Sequence, residues 1–212
     1  MPPTIIVDYG LGNLGSVARA VRHLGAEPLI TSDADAIRDA ERLILPGVGA
    51  FGTAMANLRE RGLIEPLRAY AASGRPLIGL CLGMQLFMEE SDEGGHHQGL
   101  GLIRGKVTRL SESPDRSYKI PHIGWSGLEP GARPWTGSAL DGLKALDALY
   151  FVHSYYAIPA DAGDALAYTT YGDCRYCSVI ARGNVLGCQA HPEKSGDVGL
   201  KILRNFLTGA LH

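Results

Sequence analysis

No apolar run in this 212-residue chain reaches the roughly 20 residues that a membrane-spanning helix needs. Neither charge sign is in excess. The net charge of −2 leaves no electrostatic footprint for nucleic acid, and no binding to nucleic acid or membrane is expected. No linker, internal repeat or low-complexity segment interrupts residues 1–212, so a single domain is expected, of a length able to bury its own core. The first ten residues, MPPTIIVDYG, carry neither a basic region nor a cleavage site, so no signal peptide is expected.

Cysteine is scarce: Cys81, Cys174, Cys177 and Cys188. Cys174 and Cys177 have metal-ligand spacing, but a structural zinc site takes four ligands and no second close Cys/His pair accompanies them. They also lie in a strand-like run, not at a helix start as in thioredoxin-like motifs. Four reduced thiols in a cytoplasmic chain, with no metal, is the simpler reading.

What is present is an alternation of strands and helices. Residues 5–9 read as a buried strand, and Gly10-Leu11-Gly12-Asn13 as a turn. Leu14, Val17, Ala18, Val21 and Leu24 then fall at helical spacing, with Gly25 as the stop. Strands at 29–31, 43–45 and 76–80 alternate with a short helix ending at Ala40 and helices over 53–61 and 63–73. This pattern predicts an α/β fold with a mostly parallel central sheet and flanking helices. Beyond Leu100 strands are expected at 103–110, 120–125, 150–156, 165–171, 177–181 and 185–190, with a hairpin at Arg182-Gly183-Asn184 adding antiparallel strands. Residues 91–99 read as a polar loop with His96 and His97 in solvent, and 199–211 as an amphipathic helix. Gly10, Gly12 and Gly15 match a dinucleotide fingerprint, but the nearest acid, Glu27, precedes the second strand where the ribose ligand should follow it.

The chemistry gathers at Gly79-Leu80-Cys81-Leu82-Gly83. An apolar run enters Cys81, helix-like residues 82–90 leave it, and glycines stand two positions to either side. This is the cysteine form of the nucleophile elbow. A helix N-terminus there favours the thiolate, and the Leu82 amide is placed for an oxyanion. Of seven histidines, His191 stands apart. It follows a strand, and Glu193 two residues on shares its direction in extended backbone, as the acid of a triad would. His122 and His153, at apolar strands, could also reach a cleft.

These two segments, running to Met84-Gln85 and through Gln189-Ala190-His191-Pro192-Glu193-Lys194-Ser195, resemble the class I (triad) glutamine amidotransferases. Four further runs narrow the resemblance: Val7-Asp8-Tyr9-Gly10-Leu11-Gly12-Asn13-Leu14, Leu45-Pro46-Gly47-Val48-Gly49-Ala50-Phe51-Gly52, Pro121-His122-Ile123-Gly124-Trp125 and Tyr150-Phe151-Val152-His153-Ser154-Tyr155. They are similar to the glutaminase subunits of imidazole glycerol phosphate synthases, in histidine biosynthesis.

The resemblance implies glutamine as substrate, no cofactor, and Cys81, His191 and Glu193 as the catalytic groups. It implies an oxyanion site built from the backbone of Leu82 and of Val48 or Gly49, with Gln85, Ser154 and Tyr155 holding the glutamine. It also implies a heterodimer with a (β/α)₈ synthase subunit that receives the ammonia, faced by Asn13, His122, Trp125, Tyr150 and Lys194. Two positions depart from the family: Ala190 stands where Phe is usual, which removes aromatic packing beside the triad, and Ser126 stands where Asn is common, in an expected interface loop. Competing readings are a glutaminase feeding pyridoxal phosphate synthesis, a cysteine peptidase or γ-glutamyl hydrolase on a similar sheet, and a non-catalytic subunit.

Overall fold

The computed structural model describes residues 3–112 and 118–209. In chain order, β1 (Thr4–Val7), α1 (Leu14–His23), β2 (Pro28–Thr31), α2 (Ala34–Asp39), β3 (Leu43–Leu45), α3 (Phe51–Glu60), α4 (Ile64–Ala72), β4 (Leu77–Leu80) and the single turn α5 (Leu82–Gln85) form the first half. The second half holds β5 (Glu90–Ser91), β6 (His97–Gln98), β7 (Gly105–Arg109), β8 (His122–Gly127), β9 (Glu129–Pro130), β10 (Ala148–His153), β11 (Tyr155–Pro159), β12 (Ala165–Tyr171), β13 (Cys174–Arg182), β14 (Val185–Cys188) and α6 (Gly196–Thr208).

The main sheet has the order β2-β1-β3-β4-β14-β13-β12-β9. The first five strands are parallel and the last three add antiparallel. Strand alternation divides the core. Ile5, Val7, Leu43, Leu45 and Leu77 pack with α3 and α4, while Ile6, Ile44, Ile78 and Leu80 pack with α1 and α6. Both faces of the parallel strands are therefore covered, which accounts for their unbroken apolar runs. A β8–β10 ribbon and a second sheet, β11-β7-β5-β6, flank the carboxyl ends of these strands.

Local chemistry sets the helix boundaries. The Asn13 side chain accepts from the Ser16 amide, and Asp33 from Ala36, capping α1 and α2. Gly62, at φ 66°, separates α3 from α4. The helix expected over 82–90 is shorter. The carbonyls of Leu86, Phe87 and Met88 accept from the amides of Leu100, Leu102, Ile103 and Gly101, so a distant segment takes the acceptors that a continuing helix would need. Residues 90–91 turn into β5, and residues 91–99, expected as a loop, contain β6. His97 is half-buried against α3, where a Cβ on Gly52 would come within 2.7 Å of its ring. Residues 150–156 are two strands broken at Ser154, and α6 starts three residues earlier than expected. Leu211 and His212 lie outside the described residues.

Candidate active site

Parallel neighbours end at the same edge of a sheet, and ligand sites of open α/β sheets form there. β3 runs into residues 46–50, β4 into Cys81, and β14 into Gln189, Ala190 and His191. Because β4 lies between β3 and β14, these three connections meet. The Cys81 amide donates to the Cys188 carbonyl at 2.7 Å, extending the β4–β14 ladder to the nucleophile itself. A cleft of about 360 Å³ is lined by Val48, Gly49, Cys81, Leu82, Gln85, Glu93, Val152, His153, Ser154, Tyr155 and His191.

Cys81 sits at φ 53°, ψ −109°, a region that side-chain-bearing residues avoid. Gly79 and Gly83 permit the turn. A Cβ on Gly79 would come 2.6 Å from the Gly83 carbonyl, and one on Gly83 would overlap the Leu45 carbonyl oxygen. The chain enters the neighbouring loop under the Tyr9 hydroxyl, which donates to the Pro46 carbonyl at 2.8 Å. Gly49 follows at φ 101°. Among the described residues the amides of Val48, Gly49 and Leu82 have no hydrogen-bond acceptor. The helix whose N-terminus is expected beneath Cys81 is a single turn, so helix-dipole support for a thiolate is much reduced there.

His191 and Glu193 are almost completely enclosed, and His191 Nδ1 lies 2.9 Å from Glu193 Oε1. Among the described residues His191 Nε2 has no hydrogen-bond partner, and it faces the cleft. The Ser195 hydroxyl donates to the His191 carbonyl at 2.7 Å and accepts from the Tyr150 amide at 2.9 Å, locking this connection to β10. Burial pulls the imidazole toward the neutral form, but the Cys81 and Glu193 side chains outweigh it and push its pKa up to about 10. This arrangement can hold a proton between a sulfur and a carboxylate.

A second polar chain flanks the cleft. His153 Nδ1 lies 2.9 Å from the Tyr155 carbonyl, which only accepts, so Nδ1 carries the proton. A neutral His153 then accepts at Nε2 from the Tyr176 hydroxyl, 3.1 Å away. Tyr176 in turn accepts from His122 Nδ1 at 2.9 Å, and the Ser126 hydroxyl donates to His122 Nε2 at 3.1 Å. Burial lowers His122 to about 4 and His153 to about 3, the latter helped by the neighbouring imidazoles, so the chain is uncharged near neutrality.

Two opposed effects of pH on stability follow. The folded pKa of His191 lies above the ordinary 6.5 of an imidazole, so its contribution is complete below pH 6.5 and lost as pH rises through about 10. The folded values of His122 and His153 lie below 6.5, so their contribution is lost as pH falls from 6.5 through about 4 and 3. The urea midpoint should therefore fall on both sides of neutrality. His122→Phe should flatten the acid limb alone, and an unchanged acid limb would count against this assignment.

The expected residues divide clearly. Cys81, Leu82, Val48, Gly49, Gln85, Ser154, Tyr155 and His191 share the cleft, and Glu193 lies directly behind His191. The Ser154 and Tyr155 carbonyls are already engaged, by the Leu110 amide and by Gln85 with His153. His122, expected to face a partner, is instead 1% exposed and stacked on Tyr171, with centroids 3.8 Å apart. It is an inward residue of β8 whose alternate neighbours point outward. Ser126 is on that strand and not in a loop. Trp125, 57% exposed, rests edge-on against Tyr150, while Lys194 is exposed and Asn13 is occupied as a cap. Ala190 is fully buried in the core cluster that includes Phe151, Ile202 and Phe206. Glu93, Tyr176 and Gln189 are site residues that the sequence pattern does not single out. For Gln189 the signal was present: one amide at the end of an apolar strand. Cys174 and Cys177, three residues apart on β13, fall on opposite faces.

Residues 5–210 match the family described as glutamine amidotransferase class-I, and the chain belongs to that family. The fold agrees. A structure titled "Structure of PurLQS from Thermotoga maritima" aligns with a TM-score of 0.75 at 21% identity, covering 98% of each chain. Another, a glutamine amidotransferase, aligns at 0.72 and 22%, covering 96% of each. Within the class, the chain falls among the HisH subunits of imidazole glycerol phosphate synthase. It is 48% identical to that of Sulfurimonas denitrificans, over 95% of both chains, and 46% identical to that of Lactococcus lactis, over 98% of both. The HisH subunit of Symbiobacterium thermophilum is 48% identical, over 97% of this chain and 93% of that one. The protein is accordingly a glutamine amidotransferase with glutaminase activity.

Proposed function

We propose that Cys81 attacks the side-chain carboxamide carbon of glutamine and that the ammonia released passes to a synthase subunit. The observation that carries this reading is His191, with Nδ1 on Glu193 and Nε2 unpartnered beside the cysteine cleft. His191 takes the thiol proton. The thiolate forms the C–S bond, and the carbonyl electrons move onto oxygen. That oxyanion is held by the Leu82 amide and one from Val48 or Gly49. The tetrahedral species collapses as His191 returns its proton to the departing nitrogen, releasing ammonia and leaving a γ-glutamyl thioester. His191 then takes a proton from water, hydroxide adds to the thioester, and glutamate leaves as the sulfur is reprotonated. Glu193 fixes the imidazole tautomer and stabilises the imidazolium. Gln85, Ser154 and Tyr155 shape the pocket for the substrate carboxamide and its distal groups. No cofactor enters these steps.

Ammonia that reaches water becomes ammonium and ceases to be a nucleophile, so the cleft mouth needs a cover. The family's cover is a (β/α)₈ synthase subunit, which joins the ammonia to a phosphoribulosyl-formimino-aminoimidazole-carboxamide ribotide. Exposed Trp125 and Ile123 on β8, with Tyr150, Lys194 and the Asn13 turn, form the face we assign to it. Large exposed apolar side chains of this kind are frequent anchors. Trp125→Ala should weaken the complex about 30-fold by calorimetric titration. Unchanged affinity would move the interface elsewhere.

The deciding experiment is glutamate release from glutamine by the chain alone, with the synthase subunit, and with that subunit and its nucleotide substrate. High activity only in the complete mixture supports both the chemistry and the coupling. Equal activity in all three retains the glutaminase and removes any dependence of its rate on the synthase subunit.

A further inference from the structure

Gln189 makes the one side-chain hydrogen bond that the Cys81 sulfur accepts among the described residues, from Nε2 at 3.7 Å. The orientation of this amide is forced from a distance. The Tyr155 carbonyl can only accept, so the Gln85 atom 2.7 Å from it must be Nε2. The second hydrogen of that Nε2 points to Gln189, 3.0 Å away, which must present its oxygen. Gln189 therefore has only its NH₂ left for the sulfur. The reverse setting would oppose two NH₂ groups where no water can intervene, since Gln189 is 0% exposed and Gln85 4%. His153 holds the same Tyr155 carbonyl at 2.9 Å, so the anchor is fixed twice.

We propose that Gln189 is a further catalytic residue, an amide donor aimed at the Cys81 sulfur that favours and positions its anionic form. The Cys81 thiol also makes a long approach of 4.0 Å to the Val152 carbonyl, which can receive the S–H proton but repels an anion. The sulfur thus sits between a group that suits the thiol and one that suits the thiolate. With α5 reduced to one turn, Gln189 supplies polarity that a longer helix would have given. The titratable groups around the sulfur are His191 from the β14–α6 connection, Tyr9 from the turn after β1, Tyr176 from β13 and Cys188 from β14, with Glu93 and His153 lining the same cleft. Burial raises Tyr9, Tyr176 and Cys188, and these remain neutral, which leaves His191 and Gln189 as the stabilising partners.

This inference rests on Cys81 as the nucleophile but not on glutamine as the substrate, so its test omits glutamine. Alkylation of Cys81 by iodoacetamide is followed across pH by peptide mass spectrometry, with circular dichroism as the check on folding. Gln189→Met removes the donor at similar volume. The alkylation profile should move about one unit to higher pH, with about ten-fold slower reaction at pH 7. Gln85→Met leaves Gln189 in place but releases its anchor, and a smaller move in the same direction is expected. A folded Gln189→Met with the parent profile overturns the proposal. If Gln189→Met does not fold, Gln85→Met decides, and a parent profile there overturns it equally. A glutaminase defect without a moved profile would mean a packing role only.

Discussion

Cys81→Ala is expected to lower glutamine hydrolysis by at least about 10⁴-fold, since Cys81 is the one thiol among the described residues that line the cleft with His191. Cys81→Gly should lose the same activity and yet be the more stable of the two variants. Alanine keeps the Cβ in the φ 53° backbone, whose strain is of order 1–3 kcal/mol, and glycine removes it. Glycine also adds unfolded-chain entropy, which returns about 0.5–1 kcal/mol. The difference should favour glycine by up to about 2.5 kcal/mol, several degrees in melting temperature for a chain of this size. Paired thermal melts read it directly. A glycine variant that melts below the alanine one would show that the elbow is relaxed. Residual activity within ten-fold of the parent in Cys81→Ala would require another nucleophile.

Gly83→Ala is the second large effect. Its added methyl overlaps the Leu45 carbonyl oxygen, a backbone atom of β3 that has no rotamer to change. The elbow or residues 46–49 must move apart, and those are the two sides of the oxyanion site. Overpacking of a tight site costs about 1–3 kcal/mol, and displacing an oxyanion donor lowers the rate about 10²-fold or more. A chemical denaturation midpoint and a glutaminase rate should therefore fall together. A variant that keeps full activity at reduced stability would place the Leu82 amide outside the oxyanion site.

The parts of the site that could be read from the sequence are those whose geometry is local. Gly79, Cys81 and Gly83 lie within one turn of chain, and His191 and Glu193 are two positions apart, so spacing alone carries their relation. Gln189, Tyr176 and His122 acquire meaning only through atoms tens of residues away, on β4, β8 and β10, and no spacing encodes that. The same distinction accounts for residues 86–90. Their local pattern is helical, but residues 99–103 take their carbonyls. His122 was misjudged because a histidine in a strand reads as either face until the pairing with β10 fixes it. The parallel sheet itself was legible because continuous apolar runs separated by helices have few other arrangements.

The position of β14 also bears on how the chain is made. Among the described residues it is the last strand in chain order, yet it pairs with β4 in the interior of the sheet. While a ribosome is still extending the chain, Leu77-Ile78-Gly79-Leu80 forms a bare apolar edge, the kind that recruits other nascent chains. That edge stays open until residues 185–188 emerge, and only then can His191 arrive beside Cys81. Catalytic competence and relief from aggregation are thus acquired in one event, once residues 185–191 have been made.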